Sequence, residues 1–132
     1  MTEAVITILV IDDDPDDLEI FCEAIIKIGP PYSCVTSNKC RPVLQQLIDK
    51  KIDPQLIFLD IHLDDMDGLE CLRFLKRHKE LSGIPVCMIS ELHNERICNE
   101  AMKIGAIHYF KKPGYMGELV ELIRSVLHEL SD

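Results

Sequence analysis

Apolar and polar residues follow one another along the chain in five similar cycles. Each cycle starts with a short apolar run rich in β-branched residues and continues with apolar residues at helical spacing. The short runs predict strands at residues 5–11, 33–36, 56–59, 84–89 and 107–110. The longer stretches predict helices that begin near Pro15, Pro42, Leu69, Asn94 and Met116. The pattern is typical of an α/β domain.

The regular alternation of strands and helices also predicts how the strands are arranged. It indicates a parallel sheet with helices on both faces, because each crossover must carry the chain back along the sheet. Right-handed crossovers then give a doubly wound five-stranded sheet, for which we take the strand order 2-1-3-4-5. In such sheets, ligands bind beyond the carboxyl ends of the strands, where the strand order reverses.

Charged or reactive residues stand at the ends of four of the five predicted strands: Asp12 and Asp13, Asp60, Ser90, and Lys112. With the order 2-1-3-4-5, the three aspartates converge. Ionised carboxylates at one point repel, so either their pKa values rise or a cation binds between them. A site made of carboxylate oxygens suits Mg²⁺. Zinc is disfavoured, since the histidines show no paired ligand spacing.

The acidic residues at positions 12–17 form two groups, one at the end of the first predicted strand and one at the start of the helix that follows. Asp14 precedes Pro15 and is predicted to cap the following helix. Asp16 and Asp17 fall in its first turn, where negative charge suits the helix dipole. The prediction is that Asp17→Ala only weakens the helix, whereas Asp13→Ala abolishes metal-dependent chemistry.

Length, composition and charge together exclude several classes of protein for this chain. The chain has 132 residues, 47% of them hydrophobic, and a mean hydropathy of +0.08, which fits one folded domain and excludes a disordered chain. A net charge of −9 argues against direct binding to nucleic acid. No apolar run is long enough to cross a membrane, and residues 1–3 show no signal-peptide pattern, so a cytoplasmic location is expected.

The six cysteines show no C-x-x-C spacing, and most fall on apolar stripes. They are therefore expected to be free thiols that act as small hydrophobic residues, as in a reducing compartment. These residues are Cys22, Cys34, Cys40, Cys71, Cys87 and Cys98.

Four segments together resemble the receiver domain of two-component response regulators: "IDDD", "LIFLDIHLDDMDGLE", "VCMIS" and "GAIHYFKKPG". The resemblance covers essentially the whole chain. It implies a flavodoxin-like (βα)5 fold and a single, stand-alone receiver domain over residues 1–132, without an output domain. It also implies a signalling domain rather than an enzyme, apart from its own phosphorylation and dephosphorylation.

The resemblance implies a role for each residue at the strand ends. Asp60 would be the phosphoacceptor. Mg²⁺ would be held by Asp12, Asp13, Asp60 and the backbone carbonyl of His62.

Three further residues would respond to the phosphoryl group. Lys112 would form an ion pair with the phosphoryl group. The peptide bond from Lys112 to Pro113 would be cis. Ser90 would supply the switch hydroxyl and Tyr109 the switch aromatic ring. The surface of the fourth helix, fifth strand and fifth helix would then change its state.

The implied partners are a sensor histidine kinase or a histidine phosphotransfer protein, and a downstream protein. Nucleic acid and membrane are not expected as direct partners. The chain would be a monomer or a phosphorylation-linked homodimer.

The sequence departs from the family pattern at several positions. Asp64 replaces a frequent proline, Glu91 a usually small residue, and Gly114 a bulky apolar residue. His62 and Leu92 occupy positions that tune attack of water on the acyl phosphate. A bulky imidazole beside Asp60 predicts slow autodephosphorylation.

Three alternatives to this function are possible for the sequence. A haloacid-dehalogenase-type phosphatase needs a second aspartate two residues after the nucleophile, where this chain has His62. A flavodoxin-like cofactor binder needs a phosphate-cradling loop after the first strand, and the acidic residues 12–17 would repel phosphate there. The chain could also be a receiver fragment or phosphorelay shuttle of a larger regulator.

Overall fold

A computed structural model describes residues 4–131, in which five strands alternate with five helices. The elements are β1 (Ile6–Ile11), α1 (Pro15–Ile28), β2 (Tyr32–Ser37), α2 (Cys40–Ile48), β3 (Leu56–Asp60), α3 (Gly68–Arg77), β4 (Val86–Ser90), α4 (Glu95–Ile104), β5 (His108–Lys111) and α5 (Met116–Leu130). In this part of the chain, no helix is long and apolar enough to cross a membrane.

The strands form one parallel sheet in the order β2-β1-β3-β4-β5. The predicted doubly wound, flavodoxin-like fold and its strand order are thus confirmed. Because all strands run the same way, their carboxyl ends share one edge of the sheet. Asp60 and Ser90 are the last residues of two neighbouring strands, and Ile89 lies opposite Asp60 in the register.

The core has two layers, one on each face of the sheet. Leu59 and Met88 face a cluster formed with α2, α3 and α4, whereas Phe58 and Ile89 face a cluster formed with α1 and α5. All four side chains are fully buried. Burial on both faces explains why the central strands are apolar throughout rather than alternating.

Helix α2 begins at Cys40, two residues before the predicted start at Pro42. Its N-cap residue, Lys39, makes no side-chain capping bond. Instead, the Asp65 carboxylate in the β3–α3 loop accepts hydrogen bonds from the backbone N–H groups of Cys40, at 3.0 Å, and Arg41, at 2.8 Å. This cap comes from a residue remote in sequence, so the local pattern could not reveal it.

Cys40 and Cys71 form a disulfide between α2 and α3, so the expectation of free thiols is wrong for this pair. The two residues are 31 positions apart, but both helices pack on the same face of the sheet. Proximity of this kind depends on the tertiary fold and leaves no trace in cysteine spacing. The free cysteines in the described part of the chain are Cys22, Cys34, Cys87 and Cys98.

Candidate functional site

The Asp60 carboxyl group lies at the centre of the edge formed by the strand carboxyl ends, and the residue is only 3% exposed. Its Oδ1 atom accepts a hydrogen bond of 3.3 Å from the backbone N–H of His62. Its Oδ2 atom lies 3.3 Å from the Lys112 ammonium. A carboxylate so placed can act as a nucleophile toward a group that approaches from outside the sheet.

Asp12 and Asp13 join Asp60 in one acidic cluster, with one oxygen atom from each carboxylate within 4.8 Å of the others. Burial raises the pKa of Asp12 to about 6; the charge of Asp60 adds to this rise, and contacts with Asp14 and Lys112 oppose it. Burial also raises the pKa of Asp13, together with the charges of Asp64 and Asp12. The predicted convergence is confirmed, and neighbouring carboxylate charges add to the rise that burial causes in both pKa values.

The carboxylate oxygen atoms of the cluster are suitable ligands for a divalent cation. Asp12 is fully buried, and its Oδ1 atom accepts a hydrogen bond of 3.0 Å from the backbone N–H of Asp14. Its Oδ2 atom receives no well-directed hydrogen bond, although the Lys112 ammonium lies 2.9 Å away. Carboxylate donors in a site that is open on one side suit Mg²⁺. The additional ligand, the backbone carbonyl of His62, stays a prediction.

Lys112 follows β5 directly, and its backbone N–H donates a 2.8 Å hydrogen bond to the carbonyl of Ser90. The side chain is 10% exposed, and its ammonium lies among carboxylates. Burial alone would lower the pKa of Lys112, but the close contacts with Asp17 and Asp12 and the charge of Asp60 outweigh it and raise that pKa. Lys112 is therefore a firmly charged cation beside Asp60.

Asp17 contacts this lysine, so the prediction that it serves only the helix dipole is wrong. Its Oδ2 atom lies 2.7 Å from the Lys112 ammonium. The two residues meet because α1 and α5 pack on the same face of the sheet, which brings the start of α1 to the β5–α5 loop. The helix-cap prediction is confirmed, since the Asp14 side chain accepts a hydrogen bond from the backbone N–H of Asp16.

Ser90 and Tyr109 share one hydrogen-bond acceptor, the carbonyl oxygen of Leu92. The Ser90 hydroxyl donates to it over 2.9 Å, and the Tyr109 hydroxyl over 3.4 Å. The Tyr109 ring also packs edge-on against His93. Both groups thus face the β4–α4 loop, which fits two residues that move together, while the switch role itself stays a prediction.

The close approach of α3 to β3 at Gly68 was not predicted from the sequence. A Cβ atom on Gly68 would lie 2.3 Å from the backbone oxygen of Asp60, so only glycine lets α3 begin this close to β3. The "DG" pair at the start of α3 was the available signal, because the Asp67 side chain also caps that helix.

The implied cis bond before Pro113 is a further correction: within residues 4–131, the one cis peptide bond joins Pro30 and Pro31.

The chain can now be compared with known proteins. The family model of the response regulator receiver domain matches residues 8–124. Nitrogen assimilation regulatory protein NtrX of Azorhizobium caulinodans is 35% identical over 125 residues, which cover 93% of this chain and 26% of the relative. The chain spans less than a third of the length of the curated relatives that it matches.

Solved structures agree with the family model. A CheY-like response regulator receiver domain protein from Methanospirillum hungatei JF-1 is 26% identical, with a TM-score of 0.79 and 96% of each chain covered. The Mn²⁺-bound form of response regulator Rcp1 is 23% identical, with a TM-score of 0.79, and the match covers 91% of this chain and 90% of that one. The acidic cluster, the half-buried lysine and the match over most of the chain lead to one conclusion: this chain belongs to the response regulator receiver domain family.

Proposed function

We propose that Asp60 accepts a phosphoryl group from a phosphorylated histidine on a sensor kinase or a histidine phosphotransfer protein. A carboxylate oxygen of Asp60 would attack phosphorus, the phosphorus–nitrogen bond to the donor imidazole would break, and that imidazole would recover a proton. The observation that carries the proposal is the placement of Asp60, 3% exposed, between an acidic pair and the Lys112 ammonium.

The surrounding residues would balance the charge of the transferred group. Asp12, Asp13 and Asp60 would hold Mg²⁺, which supplies positive charge beside the phosphoryl oxygens. Lys112 would donate a hydrogen bond to one of these oxygens. Metal binding at an acidic pocket is a property of receiver domains, and the cluster has the donors that it requires.

The signal would leave the site through the β4–α4 loop. A phosphoryl oxygen would compete with the Leu92 carbonyl for the Ser90 hydroxyl, and Ser90 would draw the loop inward. Because Tyr109 donates to the same carbonyl, its ring would follow. The surface formed by α4, β5 and α5 would then favour a second state that binds a downstream protein.

Several parts of this function remain proposals. Receiver domains work with histidine kinases and with effector proteins, and the proposed partners of this chain belong to these two classes. Action as a stand-alone domain, a monomeric or dimeric state, and a cytoplasmic location also stay predictions. No observation favours the phosphatase alternative, because the position two residues after Asp60 holds His62.

The proposal is tested with acetyl phosphate and Mg²⁺, followed by intact mass measurement and a sizing column. Wild type is expected to gain one phosphoryl group, and Asp60→Asn none. Asp64→Asn is the matched control, since Asp64 is an exposed carboxylate in the loop after β3 and should leave the adduct unchanged. An adduct that persists in Asp60→Asn would contradict the proposal.

We also propose that His62 slows loss of the phosphoryl group. Its exposed imidazole stands two residues after Asp60, where it can obstruct an attacking water molecule. His62→Asn should therefore shorten the phosphoryl half-life severalfold, measured by the decay of the adduct. An unchanged half-life in this variant would remove His62 from the mechanism.

A further inference from the structure

The Lys112 ammonium is held most closely by a carboxylate that does not belong to the strand ends. Its distance to Asp17 Oδ2 is 2.7 Å, compared with 2.9 Å to Asp12 Oδ2 and 3.3 Å to Asp60 Oδ2. The side chains of Asp17 and Lys112 are 22% and 10% exposed. A charge-assisted hydrogen bond of this length is among the stronger polar contacts, and partial burial protects it from screening by salt.

The geometry of the ammonium explains why this contact matters. A lysine side chain carries three N–H donors at the end of a flexible four-carbon stem. The ammonium donates hydrogen bonds to Asp17 Oδ2 and Asp60 Oδ2, and Asp12 Oδ2 lies 2.9 Å away without a well-directed hydrogen bond. The bond to Asp17 therefore holds the ammonium beside Asp60, where the transferred group would be attached.

Asp17 is itself held in a rigid segment. Asp14 donates its backbone N–H to Asp12 Oδ1 over 3.0 Å and accepts a hydrogen bond from the backbone N–H of Asp16 over 2.9 Å. Pro15 fixes the first residue of α1 between them. The metal-binding end of β1 and the first turn of α1 therefore form one hydrogen-bonded unit that presents Asp17 to the lysine.

We propose that Asp17 is a positioning residue for phosphoryl transfer: its carboxylate anchors the Lys112 ammonium so that one N–H remains directed at the phosphoacceptor. The inference rests on the proposed function of Asp60. Without the anchor, the lysine stem gains freedom, and the ammonium is less often in place when the phosphoryl group arrives. Asp17 acts only through Lys112 and does not touch the phosphoryl group.

The test compares Asp17→Ala and Asp17→Asn with Asp16→Ala. Asp16 is the matched control, because it lies in the same helical turn, carries the same charge and is exposed, and its carboxylate contacts no cation in residues 4–131. Phosphorylation by acetyl phosphate is followed by intact mass at saturating Mg²⁺, so that a change in metal affinity does not alter the measured rate. Nuclear magnetic resonance of ¹⁵N-lysine-labelled protein reports separately whether the Lys112 ammonium is held.

Asp17→Ala is expected to slow phosphorylation by roughly tenfold, as a misplaced catalytic group would. Asp17→Asn keeps an oxygen acceptor and should recover part of the rate, and Asp16→Ala should match wild type. The Lys112 ammonium signal should broaden in Asp17→Ala alone.

A wild-type rate in Asp17→Ala would overturn the proposal, and so would equal slowing in Asp17→Ala and Asp16→Ala. An unaltered ammonium signal in Asp17→Ala would also overturn it. If wild type gains no phosphoryl group on Asp60, the proposed function fails instead, and the ammonium signal still decides whether Asp17 anchors Lys112.

Discussion

Four carboxylates lie within 3.8 Å of the Lys112 ammonium, those of Asp12, Asp17, Asp60 and Glu91, and Asp13 joins Asp12 and Asp60 in the acidic cluster. One ammonium cannot neutralise this charge. Burial is the largest cause of the raised pKa values of Asp12 and Asp13, and the charges of neighbouring carboxylates add to the rise. The fold thus holds the acidic pair in a state that a divalent cation would stabilise.

A pH dependence of metal binding follows from the pKa of about 6 for Asp12. The raised pKa means that the folded protein favours protonated Asp12, so the metal-free fold loses stability as pH rises through about 6. Mg²⁺ needs the carboxylate and must displace that proton at lower pH. Mg²⁺ affinity measured by calorimetry should therefore weaken by about tenfold for each pH unit below 6. Asp16→Asn should keep this dependence, whereas constant affinity from pH 5 to 7 would contradict it.

The close approach of α3 to β3 gives a second prediction at the residue scale. Gly68→Ala places a methyl group 2.3 Å from the backbone oxygen of Asp60, which neither backbone can avoid without moving. The free energy of unfolding should fall by about 1–3 kcal/mol, measured by chemical denaturation. Gly83→Ala is the control, since its Cβ meets nothing within 4 Å. Equal unfolding free energies of the two variants would contradict this prediction, because α3 would then be able to move away from β3 without cost.

At the scale of elements, the β3–α3 loop supports two helices at once. Asp67 caps α3 locally, and Asp65 caps α2 from 24 residues away in sequence. The loop that follows Asp60 therefore holds the starts of both helices, because its aspartate side chains accept hydrogen bonds from their backbone N–H groups.

Removal of the remote cap should weaken α2. Burial is the largest single influence and opposes the charge on Asp65, but the hydrogen bonds from the N–H groups of Cys40 and Arg41, together with the charge of Arg41, outweigh it and lower the pKa of Asp65. Asp65→Ala should cost about 1 kcal/mol of unfolding free energy at neutral pH, as loss of a helix cap does. The difference from wild type should shrink as pH falls through the acidic range, where the carboxylate becomes protonated. Asp64→Ala should show no such loss.

At the scale of the whole molecule, the two-layer core and the Cys40–Cys71 disulfide act together. The core buries the central strands on both faces, and the disulfide joins two helices of one layer across 31 residues. Such a link restricts the unfolded chain more than it alters the folded one.

Reduction of the disulfide should therefore lower the unfolding free energy by about 3–4 kcal/mol in the chain-entropy model. Denaturation curves of oxidised and reduced protein measure this difference. Cys98→Ser should preserve it, because Cys98 is free, and Cys71→Ala should abolish it. A count of six free thiols in the oxidised protein would contradict the link.

The sequence by itself determined the alternation of elements and the presence of Asp12, Asp13 and Asp60 at strand ends, whereas the strand order that makes these residues converge came from the resemblance to receiver domains. Hydrophobic period and helix caps are local properties, and a parallel sheet brings all strand ends to one edge. Only the tertiary structure decided the contact of Asp17 with Lys112, the cap from Asp65 and the Cys40–Cys71 disulfide. Each of these joins residues that are distant along the chain through helices packed on a common face, and no local pattern encodes that packing.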